Sequence, residues 1–214
     1  MVNFKDLKDR IGFHEKFIGR EKYFNSAVIV LLVEDREEQY LLFQKRAQGI
    51  RQGGEISFPG GKIDKVDSNS LETALRECYE EIGLPEDKIN VLGKLGTHLI
   101  PSGILVEAYL GKIDVSSLGD LKLNKQEVER CFLVPVKFFL DNQPRIEKLQ
   151  VETLPYYEED GKRYIFPYEE LNLPERYRSP WKSQPREVYF YHYDGELIWG
   201  ITADIVFEFL KYLK

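Results

Sequence analysis

"GGKIDKVDSNSLETALRECYEEIGL", Gly60–Leu84, sets a glycine pair, a polar turn and a helix bearing Glu77, Glu80 and Glu81 in immediate succession. Asn69 is the expected N-cap, and Glu72 stands where a capping-box acid belongs. Leu71, Ala74, Leu75, Cys78 and Ile82 recur at helical spacing and predict a buried stripe, with Gly83 as the exit. Successive helical residues turn by about 100°, so the three glutamates share a sector of roughly 100° beside that stripe. Like charges so placed repel by about 0.2–0.5 kcal/mol per pair at an exposed surface, and by more when partly buried. A hard divalent cation, Mg²⁺ or Mn²⁺, would turn the cluster into a site that attracts phosphate oxygens. Arg76 and Lys62 are placed to brace these carboxylates. The helix alone leaves open the plainer alternative of a solvated acidic face.

Around this stretch, composition limits the choices. The chain has 214 residues, 43% apolar and 31% charged, enough to bury a substantial core in one domain spanning 1–214. A formal charge of -6 gives no general attraction to nucleic acid or to an anionic membrane, so an anionic substrate needs a local basic patch or a bound cation. Cys78 and Cys131, the only cysteines, lie in apolar surroundings and read as buried thiols. The opening "MVNFKDLKDR" lacks an apolar core, and "AVIVLLV" (27–33) is too short to cross a bilayer, so a cytoplasmic protein is expected.

"NFKDLKDRIGF" (3–13) reads as a short helix. Ala27–Val33 and Gln39–Phe43 read as strands of a hairpin joined by "EDREEQ". The following "QKRAQGIRQGGEISFPGG" carries five glycines between Gly49 and Gly61, which suits tight turns and close backbone approach to a ligand. It contains neither a P-loop nor a dinucleotide-binding glycine pattern. Residues 92–113 read as strand, turn and strand, broken at Pro101–Gly103, where His98 is an isolated histidine near the turn. Cys131–Val134 reads as a strand and Pro135–Leu140 as a turn into a short helix; local periodicity does not choose between Glu127 and Glu129 before them. Residues 141–187 hold six of the ten prolines and read as an extended ordered loop or lid around Trp181. Strands at Val188–Tyr193 and Glu196–Trp199 then lead to a helix from about Ala203, capped by Thr202, with Ile205, Val206, Phe209, Leu210 and Leu213 on its packing face.

"RECYEEIGL", Arg76–Leu84, resembles the signature of the Nudix hydrolases: Arg-Glu, an apolar residue, any residue, Glu-Glu, any residue, Gly and an apolar residue. All of those positions match. The resemblance implies an α/β fold, a Nudix-like α/β/α sandwich with a mixed β-sheet. It also implies that Glu77, Glu80 and Glu81 bind Mg²⁺ or Mn²⁺ with the Gly61 carbonyl, and that Arg76 orients them. The family pattern places its glycine where this chain has Lys62 and an upstream glutamate where it has Ser68, so the loop carries one inserted residue.

That longer loop, "LLFQKRAQGIRQGGEISFPGGK" and "TALRE" are similar to the coenzyme A pyrophosphatase branch, with departures at Phe43 and in the short Arg51–Gly54 spacing. "PSGILVEAYLG", "EVERCFLVPV" and "GELIWGITADIVFEFL" extend the likeness. The resemblance implies hydrolysis of the diphosphate of coenzyme A or its thioesters to 3′,5′-ADP and 4′-phosphopantetheine or its acyl form. Catalytic roles fall to Arg76, Glu77, Glu80, Glu81 and Glu127, with the general base either Glu127 or a helix glutamate. Substrate contacts fall to Arg46, Arg51 and Lys62, as a basic group for the 3′-phosphate, and to Ser102. An enzyme for ADP-ribose or another nucleoside diphosphate derivative is the alternative, favoured if Arg46 and Arg51 face away from the metal helix; a non-catalytic ligand-sensing module ranks below both. The apolar closing helix and residues 141–187 suggest a homodimer.

Overall fold

The computed structural model describes residues 17–213; the helix expected over 3–13 lies outside them. The run Ala27–Val33 is apolar without alternation because its strand is buried on both faces. Ala27, Ile29, Leu31 and Val33 pack toward Ala74, Cys78 and Ile82 of the Ser70–Ile82 helix. Val30 and Leu32 pack the other way, with Leu41 and Phe43, toward Ala203, Val206, Phe209 and Leu210 of the closing helix, Gly200–Lys211. Two cores therefore lie on opposite sides of one sheet.

That sheet is mixed and seven-stranded: β1 (Phe24–Asp35), β2 (Glu38–Arg46), β3 (Ile56–Ser57), β4 (Gly60–Lys62), β5 (Asn90–Ile100), β6 (Ile104–Asp114) and β7 (Val128–Pro135). Its order is β3-β2-β1-β6-β5, with β4 also on β1 and β7 also on β2. Only β1 and β6 run parallel; the other pairs are antiparallel. Most of "EDREEQ" is strand, since Asp35 pairs with Glu38 and leaves Arg36 and Glu37 to turn, Arg36 at φ 58°. On one side β1 meets first β4, at Ser26–Val28, and then β2, at Leu31–Asp35. This divided pairing brings Gly60 and Gly61 beneath the glutamate-bearing helix.

The Ser70–Ile82 helix follows its sequence closely. Asn69 Oδ1 accepts from Leu71 N and Glu72 N, each at 3.0 Å, and Gly83 closes the helix at φ 71°. Glu72 accepts from Ser68 N at 2.8 Å instead of from the cap residue's own amide, so the reciprocal contact falls one residue earlier than a capping box has it. Replacing Asn69 with Ala should cost about 1 kcal/mol, or roughly 2–4 °C in Tm for a chain of this size. Thermal melting reads this directly, and an unchanged Tm would contradict the cap assignment.

Residues 141–187 are more structured than a loop or lid. A helix at Val136–Asp141 leads into β8 (Arg145–Leu149), followed by β9 (Glu152–Thr153), β10 (Tyr156–Glu159), β11 (Lys162–Ile165) and β12 (Trp181–Lys182). β10 pairs β11 and β12 pairs β9, while β8 joins β13 (Arg186–Tyr193) and β14 (Glu196–Trp199) in a three-stranded sheet. The closing helix starts at Gly200, three residues before the expected Ala203, with Trp199 as its N-cap. Thr202 does not cap it; its hydroxyl donates to Ile56 O at 3.0 Å and ties the helix to β3. Leu213 lies beyond the helix and is exposed, so it is not part of the packing face. The helix buries Ile205, Val206, Phe209 and Leu210 within its own chain, which removes one of the two reasons for expecting a homodimer. No helix among the described residues is long and apolar enough to cross a membrane, which leaves β-barrels unaddressed.

Candidate active site

Helical geometry sets Glu77, Glu80 and Glu81 on neighbouring positions, but their side chains reach different partners. Glu81 is buried, and its Oε2 accepts from Gln44 Nε2 at 2.8 Å and from Gly60 N at 2.9 Å. Glu77 and Glu80 each accept from Arg76 Nη1, at 2.9 and 3.0 Å. A Cβ on Gly61 would lie 2.4 Å from the Glu77 carboxylate, so a larger residue there would push that carboxylate out of its present position. Gly60, at φ 151°, would place a Cβ 2.3 Å from Ala27 O, a backbone atom, which explains the glycine at that position sterically.

Arg76 is held from behind by Asp67. Its Nε donates to Oδ1 and its Nη2 to Oδ2, both at 3.0 Å, a two-pronged pair that fixes the plane of the guanidinium. Thr73 Oγ1 and Asp64 N also donate to Asp67, at 2.8 and 2.9 Å. The hydrogen bonds from Arg76 depress the Asp67 carboxyl well below the usual carboxylate range. Asp67 was missed in the sequence, although a signal was present. Gly61 to Asp67 has the same spacing as Lys62 to Ser68, the positions where the family pattern has its glycine and upstream glutamate. Both residues are therefore displaced by one, and the inserted residue lies between Asp67 and Arg76. Gln44 was missed as well; it follows the apolar run Leu41–Phe43 but opens the polar end Gln44–Lys45–Arg46 of β2, so no signal in the sequence marks it as buried.

The electrostatics show anionic charge held together at a cost. Burial pushes Glu81 up to about 7, opposed by the Gly60 and Gln44 hydrogen bonds and Arg46, with the Glu77 charge adding to the rise. Glu77 is raised by burial first and by the charges of Glu80 and Glu127, against the pull of Arg76. Glu127, not the exposed Glu129, therefore stands within electrostatic reach of the helix carboxylates. Its carbonyl accepts from Ala47 N at 2.8 Å and anchors the start of the glycine-rich loop. Arg46 Nη1 lies 3.8 Å from Glu81, and its Nε donates to Arg51 O at 3.3 Å. The side chains of Arg51 and Lys62 are on exposed residues; Lys62 O accepts from Arg76 Nη2 at 3.4 Å. Ser102 sits on the exposed turn between β5 and β6 and makes no hydrogen bond to the other candidates among the described residues.

Among the described residues no three acidic, histidine or cysteine side chains converge as a ready-made metal cage. The reason is visible: Arg76 holds Glu77 and Glu80, while Glu81 turns inward to Gln44 and Gly60. The donor set nonetheless fits a hard divalent cation, because clustered carboxylates with raised pKa values are short of positive charge and the Gly61 backbone lies against one of them.

The NUDIX domain family model matches residues 23–176. The chain is 29% identical over 189 residues to the uncharacterized Nudix hydrolase NudL of Photorhabdus laumondii, covering 88% of this chain and 84% of that one. It is 32% identical over 142 residues to the peroxisomal coenzyme A diphosphatase NUDT7 of Mus musculus, covering 66% and 58%. Among solved structures, a C. elegans Ap4A hydrolase binary complex aligns at a TM-score of 0.45 and 16% identity, covering 52% of this chain and 80% of that one.

Proposed function

The chain belongs to the Nudix hydrolase family, and from that premise we propose that it is a metal-dependent diphosphatase acting on coenzyme A or its thioesters. The products are 3′,5′-ADP and 4′-phosphopantetheine or its acyl form. The observation that carries this reading is the glutamate helix braced against Gly61 by Arg76, in a chain related to a coenzyme A diphosphatase. Of the two arginines, Arg46 and Arg51, whose turning away from the metal helix would favour ADP-ribose, Arg46 lies beside Glu81, which supports this reading, while Arg51 is exposed. Cys78 and Cys131 are both unbonded thiols, in keeping with a cytoplasmic setting.

Glu77, Glu80 and Glu81, with the Gly61 carbonyl, would hold Mg²⁺ or Mn²⁺, with Arg76 orienting Glu77 and Glu80. When bound, such a cation polarises phosphate oxygens and offsets the charge of the diphosphate. Arg46, Arg51 and Lys62 add positive charge around the glycine-rich loop, and Ser102 contacts the substrate from the β5–β6 turn. Glu127 accepts the proton of the attacking water as its oxygen bonds to phosphorus and the bridging P–O bond breaks. The leaving phosphate carries away the bridging oxygen.

A panel of coenzyme A, dephospho-coenzyme A and ADP-ribose tests the assignment. A charge-assisted contact to the 3′-phosphate should raise kcat/KM for coenzyme A about tenfold or more over its dephospho form. A clear preference for ADP-ribose would replace this substrate with the alternative.

A further inference from the structure

Gln44 lies on β2 between β3 and β7, opposite Ser57 on one side and Cys131 on the other, and it is fully buried. A side-chain amide so enclosed has two N–H donors and one carbonyl acceptor to place. Nε2 donates to Glu81 Oε2 at 2.8 Å and to Ser57 Oγ at 3.3 Å. Gln44 Oε1 has no partner among the described residues, and leaving a buried acceptor unpaired is costly. Turning the amide over would be worse, because its oxygen would then face a carboxylate that only accepts. The amide is therefore oriented by what its nitrogen donates. The consequence falls on Glu81, whose two oxygens are not equivalent. Oε2 takes Gln44 Nε2 and Gly60 N, at 2.8 and 2.9 Å. Oε1 accepts no hydrogen bond among the described residues and has Arg46 Nη1 3.8 Å away.

We propose that Gln44 determines the ion specificity of the metal site: by occupying Oε2 it leaves Glu81 one free oxygen and makes it a one-oxygen ligand. This deepens the metal-dependent reading above and rests on Glu81 as a ligand, whatever the substrate. Mg²⁺ and Mn²⁺ take octahedral oxygen shells and are served by single carboxylate oxygens. Ca²⁺ is larger, takes about six to eight oxygens and readily accepts both oxygens of one carboxylate. Holding Oε2 withholds that second oxygen from Ca²⁺ while leaving the smaller ions what they need. Ser57 acts one step further out, by fixing the amide that fixes the carboxylate.

Calorimetric titration of the protein with Mn²⁺ and with Ca²⁺, without substrate, tests this. The wild type should bind Mn²⁺ about tenfold or more tightly than Ca²⁺. Gln44→Met, of similar shape but without donors, should narrow that ratio about tenfold, the smaller of the changes seen when a group that orients a metal ligand is removed. Loosening of the structure alone would weaken both ions together and leave the ratio unchanged, and a melting curve identifies a variant that has not folded. Ser57→Ala, which frees the amide without touching Glu81, should narrow the ratio in the same direction by less. A wild type without preference for Mn²⁺, or an unchanged ratio in folded Gln44→Met, would overturn the inference; should Gln44→Met not fold, an unchanged ratio in Ser57→Ala would do so. A ratio that follows Gln44 in a protein that does not hydrolyse coenzyme A would leave the inference standing and remove the proposed substrate instead.

Discussion

Glu81→Gln should lower kcat by about 10²–10³-fold, the usual loss when one preorganised electrostatic group is removed, while the protein still folds. Glutamine matches the shape of glutamate, and its side-chain oxygen can accept from Gln44 Nε2 and Gly60 N as Glu81 Oε2 does. What is lost is the negative charge, and with it a hard anionic ligand for a divalent cation. Stability should hold or rise, because burial already works against the charged form of this 3% exposed residue. Steady-state kinetics with Mg²⁺ and with Mn²⁺, together with a melting curve, separate the two effects. Near-wild-type turnover in a folded variant would remove Glu81 from the site.

The second large effect is expected at Asp67. Its two-pronged contact fixes Arg76, which in turn holds Glu77 and Glu80. Asp67→Ala should cost about 2 kcal/mol, less than a fully buried broken pair because Arg76 keeps two other carboxylates. The corresponding fall in Tm is about 4–8 °C. Turnover should drop about 10–100-fold, as when residues that orient a metal site's ligands are removed. Because the folded-state pKa of Asp67 is depressed, its contribution is complete above its unfolded value of about 3.9. The contribution is lost as pH falls through the folded pKa. The wild-type and Asp67→Ala stability curves should therefore converge on acidification. A constant gap between them would mean that the pair with Arg76 is not what Asp67 contributes.

The glutamate helix was legible because each of its signals is local: an N-cap, a helical apolar stripe, a closing glycine and three acids at fixed spacing. Strands such as β1 and β6 were legible for the same reason, through apolar runs broken by turn residues. The contacts that complete the site are not local. Gln44 lies 37 residues from Glu81 and Gly60 lies 21 from it, and no pattern in either segment announces their meeting. Asp67 occupied an intermediate position, readable only once Gly61 and the acid are shifted together. Thr202 misled because a hydroxyl near a helix start resembles a cap, whereas tertiary packing gives it to Ile56 O. In 141–187 the prolines and turn residues concealed short ribbons such as Tyr156–Glu159 with Lys162–Ile165, whose exposed residues carry little alternation.

The most direct measurement is product analysis of coenzyme A incubated with the purified protein in ¹⁸O-labelled water, with Mg²⁺ or Mn²⁺ and again with excess chelator. The expected result is cleavage into 3′,5′-ADP and 4′-phosphopantetheine, with one ¹⁸O atom in one of the two products, abolished by the chelator and greatly reduced in Glu81→Gln. Cleavage that persists undiminished in the chelated wild type or in Glu81→Gln, or a diphosphate left intact under all these conditions, would contradict the account.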